Sequence, residues 1–132
     1  SSSTIPSNFG SANFSAVVFI NGNLTINTDL NAAATSSLLF VVSGNILVDK
    51  NVQNIDGNFI GNGEFDTSYN GNGGRQLSVY GSVVANFVSF SRSLNNNAET
   101  QPSERIIFQP LSFLGLSNVL GNYSVGWKEI AP

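Results

Sequence analysis

The sequence predicts an all-β chain, a short parallel β-solenoid with capping segments at both ends. Three observations carry that prediction. The first is a repeated phrase: Val18-x-Ile20-x-Gly22-x-Leu24-x-Ile26 returns as Phe40-x-Val42-x-Gly44-x-Ile46-x-Val48 and as Leu77-x-Val79-x-Gly81-x-Val83-x-Ala85. A weaker copy is Ile55-x-Gly57-x-Phe59-x-Gly61. The second is the period of two within each copy, which marks a half-buried strand. The third is the spacing of the copies, at roughly 20–25 residues, as expected of stacked coils. A β-sandwich is the alternative, and it expects hairpin-linked strands joined by tight turns.

Taken in order, the elements form a single domain over 1–132. Residues 1–16 read as an entry or cap segment, interrupted by Pro6 and Gly10, with Phe9 and Phe14 able to cover a core end. Coils follow over 17–109. Residues 17–26 read as one strand with Val18, Ile20, Leu24 and Ile26 inward. Residues 28–37 connect, and Ala32-Ala33-Ala34 is too short to nucleate a stable helix alone. Residues 38–48 form the next strand, again with even positions inward. Its opposite face carries Leu39, Val41 and Leu47, so that face is either covered or meets a neighbour.

After Asp49-Lys50-Asn51 the inward register moves to odd positions, Ile55, Phe59 and Phe65, on another face of the coil. Residues 67–76 form a loop, because Asn70-Gly71 and Asn72-Gly73 favour positive φ. Leu77 to Ala85 repeats the phrase, and Val88 and Phe90 continue on a further short strand. Residues 94–104 protrude around Asn95-Asn96-Asn97. A last strand over 105–109 stops at Pro110. Residues 111–132, which include Tyr123 and Trp127, lose the alternation and read as a cap over the end or side of the core.

Composition narrows the functions. Of 132 residues, 10% are charged, against about 25% in a usual soluble domain. The net charge is -3 with no basic cluster. Binding to nucleic acid or anionic lipid needs a concentrated basic surface, so neither is expected. The chain has no Cys or His, which removes disulfides, thiolate chemistry and a histidine general base. No stretch is long enough to insert in a membrane. No cofactor motif is present, and Gly71-x-Gly73-Gly74 lacks the strand, helix and Lys of a phosphate loop.

The carboxylates Asp56, Glu64 and Asp66 lie close in sequence. They are weak candidates for calcium, which takes several oxygen ligands, or for paired acids acting on a glycosidic bond. The spacing matches no standard calcium loop, and the plainer reading is a polar outer face and turn. Arg92 continues the inward row of Val88 and Phe90. A buried guanidinium needs a partner, and Glu104 at the start of the next strand is the expected one, in a structural ion pair. Tyr69, Tyr80, Tyr123 and Trp127 could stack on sugar rings, although Trp127 near the C-terminus reads rather as a core plug.

Gly44-Asn-Ile-Leu-Val-Asp-Lys-Asn-Val52, Ile55-Asp-Gly-Asn-Phe-Ile-Gly61, Leu77 to Ala85, Phe90-Ser-Arg92, Pro102-Ser-Glu104 and the closing Trp127-Lys-Glu-Ile-Ala-Pro132 together carry a resemblance. Over residues 38–132 the chain resembles uncharacterised C-terminal β-solenoid modules of secreted and surface proteins from candidate-phyla bacteria. It has a looser likeness to bactofilins, small solenoids that polymerise end to end, from which its long loops and aromatic tail depart. The resemblance implies a surface location and a solenoid fold, and it brings no catalytic residues.

The expected function is therefore that of a non-enzymatic extracellular or cell-surface structural protein, a self-assembling filament subunit. Its partners would be further copies or the other domains of a parent protein. An adhesin or carbohydrate-binding module is the alternative. A polysaccharide-acting enzyme on a solenoid scaffold is the third reading.

Overall fold

The computed structural model describes residues 2–4, 15–32, 36–94 and 100–120. Its strands are β1 (Ser2–Thr4), β2 (Ser15–Ile20), β3 (Asn23–Ile26), β4 (Ser37–Val42), β5 (Ile46–Asp49), β6 (Asn54–Tyr69), β7 (Leu77–Ser89) and β8 (Glu104–Ile107). One helix, α1 (Pro110–Leu120), follows them. Each strand pairs in parallel with the strand one coil away. The chain is a β-solenoid of about 3 turns. The sandwich alternative falls, because its hairpins would pair antiparallel.

The first face stacks β2, β4, the middle of β6 and the middle of β7. The second stacks β1, β3, β5, the end of β6 and the end of β7. The third stacks Leu30, the start of β6, the start of β7 and β8. Inward residues of successive coils lie on one another. Leu24, Ile46 and Phe65 form one such column and are fully buried. Phe40 and Phe59 form another, with stacked rings 5.1 Å apart, and Phe59 also meets Phe65 at 6.0 Å. The odd-position register read for Ile55, Phe59 and Phe65 holds, since all three are buried.

The glycine of the phrase falls between strands at Gly22 and Gly44 and within β6 and β7 at Gly57 and Gly81. It marks the corner between two faces, so the strands expected over 17–26 and 38–48 each divide in two. At the corner between the first and second faces, Gly44 donates its N–H to the Gly22 carbonyl at 2.9 Å, and Gly63 donates to the Gly44 carbonyl at 3.0 Å. The coils approach so closely there that a Cβ on Gly44 would overlap the Gly22 carbonyl and the Asn23 side chain. The next residue along continues the ladder. Asn23 Oδ1 accepts the Asn45 N–H at 2.9 Å, and Asn45 Oδ1 accepts the Glu64 N–H at 2.9 Å. At the corner between the third and first faces, Gly81 stacks on Gly57 with φ of 151°.

The loop after β6 has the expected positive φ at Asn70, Gly71 and Gly73. Val88 lies within β7 itself, with no separate strand. The segment after Pro110 opens as a helix, which the sequence reading missed. Pro suits the first helical position, and of the leucines that follow only Leu116 is buried, while Leu111 and Leu114 face outward. The helix lies along the side of the solenoid against the first face. Gly115 makes that seat possible, because a Cβ there would overlap Ser37 Oγ. Asn58, buried under the helix, donates to the Leu38 carbonyl at 3.2 Å and accepts from Ser82 Oγ at 2.8 Å. Of the expected entry segment, Ser2–Thr4 extends the second face as β1. Phe9, Phe14, Ala33, Ala34, Asn95-Asn96-Asn97, Tyr123 and Trp127 lie outside the described residues.

Replacing Gly81 by Ala is expected to be severe, because the added Cβ would overlap the Gly57 carbonyl oxygen at a positive φ. A loss of more than about 3 kcal/mol is expected in denaturant unfolding. A loss below about 1 kcal/mol would mean that the corner is not packed as described.

Candidate functional site

The solenoid separates the three carboxylates that lie close in sequence. Asp56 stands on the third face beside Tyr80, Glu64 stands at the corner after Gly63, and Asp66 stands on the second face beside Leu47. Asp56 and Asp66 each hold a local main-chain N–H, whereas Glu64 is engaged through its main chain. Asp56 Oδ2 accepts the Ala32 N–H at 2.8 Å. Asp66 Oδ1 accepts the Ser68 N–H at 2.9 Å. Glu64 enters the Asn ladder through its own N–H. Among the described residues no three His, Cys, Asp or Glu side chains gather where they could hold a metal ion. The corners turn the chain between these acids, so proximity in sequence does not become proximity in space.

Arg92 points inward and is only 5% exposed, but not by the expected register, because Phe90 in the same row is 55% exposed and β7 ends at Ser89. Its partners differ from those expected. The guanidinium donates to main-chain carbonyls: Nε to Thr67 at 2.5 Å, Nη1 to Val52 at 2.5 Å and Arg75 at 3.3 Å, and Nη2 to Asp49 at 2.8 Å. Glu104 is close but binds elsewhere. Its Oε1 accepts the Arg92 main-chain N–H at 2.8 Å and the Thr67 hydroxyl at 2.8 Å. The residues thus meet through side chain and main chain rather than as a direct fork. The reason is the corner between the second and third faces, where the ladder breaks and leaves carbonyls unpaired. A planar group with five N–H donors satisfies several of them at once. Burial pushes the guanidinium below its ordinary pKa, and the carboxylates of Glu104, Asp49, Asp29 and Asp66 oppose that push.

A cleft of about 440 Å³ opens between the third face and the start of α1. Its polar lining includes Asn31, Asn54, Asp56, Tyr80 and Gln109, and Leu38 and Leu111 supply apolar wall. Asn54 and Asp56 share the outer side of β6, with the buried Ile55 between them. Burial raises the Asp56 carboxyl above its ordinary pKa, and the single Ala32 hydrogen bond offsets only part of that. The sequence reading placed Asp56 and Tyr80 separately and did not join them. The signal was present, since Asp56-Gly57 and Tyr80-Gly81 occupy the same place in two copies of the phrase.

A second feature lies on the outer side of the first face. Phe19, Val41, Ile60 and Val84 stand in register on successive coils. Phe19 is 78% exposed, Ile60 42% and Val84 60%. Leu39, one step along β4, faces the side where α1 packs. The apolar outer face of this strand is therefore covered in one half and open in the other.

Two outcomes follow for these side chains. Arg92→Met leaves carbonyl oxygens buried without donors, and a loss of about 3 kcal/mol or more is expected in thermal or denaturant unfolding. Arg92→Lys keeps the charge but loses the fork, and an intermediate loss is expected. For Asp56, the folded-state pKa lies above the ordinary 3.8. The folded chain therefore binds this proton more tightly, and stability falls as pH rises from 3.8 through the raised value. Asp56→Asn keeps an acceptor for Ala32 and removes the charge, so the variant should gain on the wild type between about pH 3 and pH 7. Denaturant midpoints at the two pH values check the sign. Set against family models, curated proteins and solved structures, the chain matches none of them.

Proposed function

We propose that this chain is a non-enzymatic structural protein of the cell surface or extracellular space, a solenoid subunit that associates end to end with further copies. The row Phe19, Val41, Ile60 and Val84 carries the reading. Contiguous exposed apolar surface on a protein marks an association site. Within the row, the members on the first and last coils are the most exposed, at 78% and 60%. An inner member is screened by a neighbour on each side, whereas an end member has one on one side only. A second copy stacked on the last coil would place its own Phe19 next to Val84 and supply the missing neighbour. Phe87, on the same last strand, is 64% exposed and would be covered by the same contact.

Parallel strands favour this mode of assembly. A solenoid that presents the same face at both ends can extend its ladder from copy to copy in one direction. The charge-poor, Asn- and Ser-rich exterior and the resemblance to surface modules support the location. Among the described residues no helix is long and apolar enough to cross a membrane.

Sedimentation and electron microscopy across a range of concentrations test the reading. The wild type is expected to form linear assemblies whose length grows with concentration, and Val84→Lys or Phe87→Lys should return it to monomer without loss of stability. Monodisperse wild-type monomer at every concentration would overturn end-to-end association. Resistance of the chain to protease added to intact cells that produce it would overturn the location.

A further inference from the structure

The cleft beside α1 has a chemistry of its own, independent of the apolar row. Its polar groups converge from separate parts of the chain: Asn31 after β3, Asn54 and Asp56 on β6, Tyr80 on β7, and Gln109 before α1. Asp56 commits Oδ2 to the Ala32 N–H, and its Oδ1 has no hydrogen bond from the described residues. The side chains of Asn31, Asn54, Tyr80 and Gln109 likewise make none with them. Side chains that each need two or more partners thus share one half-enclosed space.

The mixture selects a ligand class. No Lys or Arg is among the described lining residues, and Asp56 would repel an anion. One carboxylate among amides suits a neutral group that both donates and accepts, which describes a hydroxyl. Paired amide and carboxylate groups bind adjacent hydroxyls through one donor and one acceptor each. The aromatic ring of Tyr80 and the side chains of Leu38 and Leu111 give an apolar surface for C–H groups. The volume of about 440 Å³ leaves room for a mono- or disaccharide.

We propose that this cleft binds a neutral carbohydrate, with Asp56, Asn31, Asn54 and Gln109 taking its hydroxyls and Tyr80 lying against its ring. The contribution of Asp56 rests on its free oxygen, and that of Tyr80 on its ring and its hydroxyl.

The test is a titration of the full ¹⁵N-labelled chain followed by NMR. The probes are glucose, galactose, mannose, N-acetylglucosamine and their β-linked disaccharides. At least one is expected to shift the side-chain amides of Asn31, Asn54 and Gln109 and the main chain at Gly57, with a Kd of about 1 mM or tighter. Asp56→Ala and Tyr80→Ala should each weaken that binding about tenfold or more. Tyr69→Ala, at an exposed tyrosine outside the cleft, should leave it unchanged. Asp56→Asn and Tyr80→Phe serve where the Ala variants do not fold, and each should weaken binding with the dispersed core resonances retained. Absence of shifts with every sugar at about 10 mM would overturn the proposal. So would shifts that both substitutions leave intact, or a cleft that responds to ethylenediamine and not to sugars. Val84→Lys lies outside the cleft, so the titration reads the same whether or not the chain assembles.

Discussion

Backbone hydrogen bonds at the corners are the constraint on which the rest of this solenoid depends. On the flat faces, each coil passes its N–H and C=O groups to the next through an ordinary parallel ladder. At a corner the chain bends, the ladder breaks, and unpaired polar groups would be buried at a cost of about 1–3 kcal/mol each. The three corners answer this differently. Between the first and second faces, glycines let the backbones pair directly, and Asn23 and Asn45 supply side-chain acceptors for the coil above. Between the third and first faces, Gly57 and Gly81 stack with positive φ. Between the second and third faces the loops are longer, and Arg92 fills the gap with its guanidinium. Once the corners hold the coils in register, the columns of Leu24, Ile46 and Phe65, and of Phe40 and Phe59, stack without further specification.

The placement of α1 sets what the first face can do. Ser15 and Ser37 are stacked partners on this face, and Gly115 packs against them with no side chain between. This seam of small residues brings the helix onto the half of the face that holds Leu39 and Asn58. It leaves the row of Phe19, Val41, Ile60 and Val84 open to one side, and it builds one wall of the cleft on the other side. A single helix position thus divides an apolar surface into a covered part, an association row and a polar pocket.

Much of this was legible from the residues. The period of two and the repeated phrase predicted the parallel solenoid, and the change of inward register at Asp49 predicted a further face. The corner glycines were visible but read as mid-strand residues, because the short corners Asn21-Gly22 and Ser43-Gly44-Asn45 leave the alternation on both sides intact. Val18 and Ile20 keep the parity of Leu24 and Ile26 across Gly22, so nothing in the pattern marks the bend. The helix was hidden because Leu111, Leu114 and Leu116 were read only as a loss of strand periodicity. The inward aim of Arg92 was expected from an alternation that breaks at Phe90, which is exposed. Its carbonyl partners were not legible, because Val52, Thr67 and Arg75 meet only once the coils are stacked. The cleft escaped for the same reason, since Asn31 and Gln109 join Asp56 from opposite ends of the described chain.

Two aspartates show how the same residue takes different roles in such a stack. At Asp49, burial raises the carboxyl pKa, but the amide of Asn70, the N–H and amide of Asn51 and the charge of Lys50 outweigh it and hold the group below its ordinary value. Its oxygens are satisfied by the turn it anchors, and its contribution to stability persists until acid titrates it. At Asp56, burial is met by one N–H only, and the group is left above its ordinary value. A half-buried carboxylate with one donor is a mildly unfavourable arrangement for folding alone. Asp56 carries that cost at the mouth of a cleft where the side chains of Asn31, Asn54, Tyr80 and Gln109 also make no hydrogen bond with the described residues. A ligand hydroxyl donated to the free oxygen of Asp56 would lower the cost of its charge and lower its pKa together. Binding at the cleft and ionisation of Asp56 are therefore coupled: the site should weaken as pH falls through the raised value, while the turn at Asp49 stays intact.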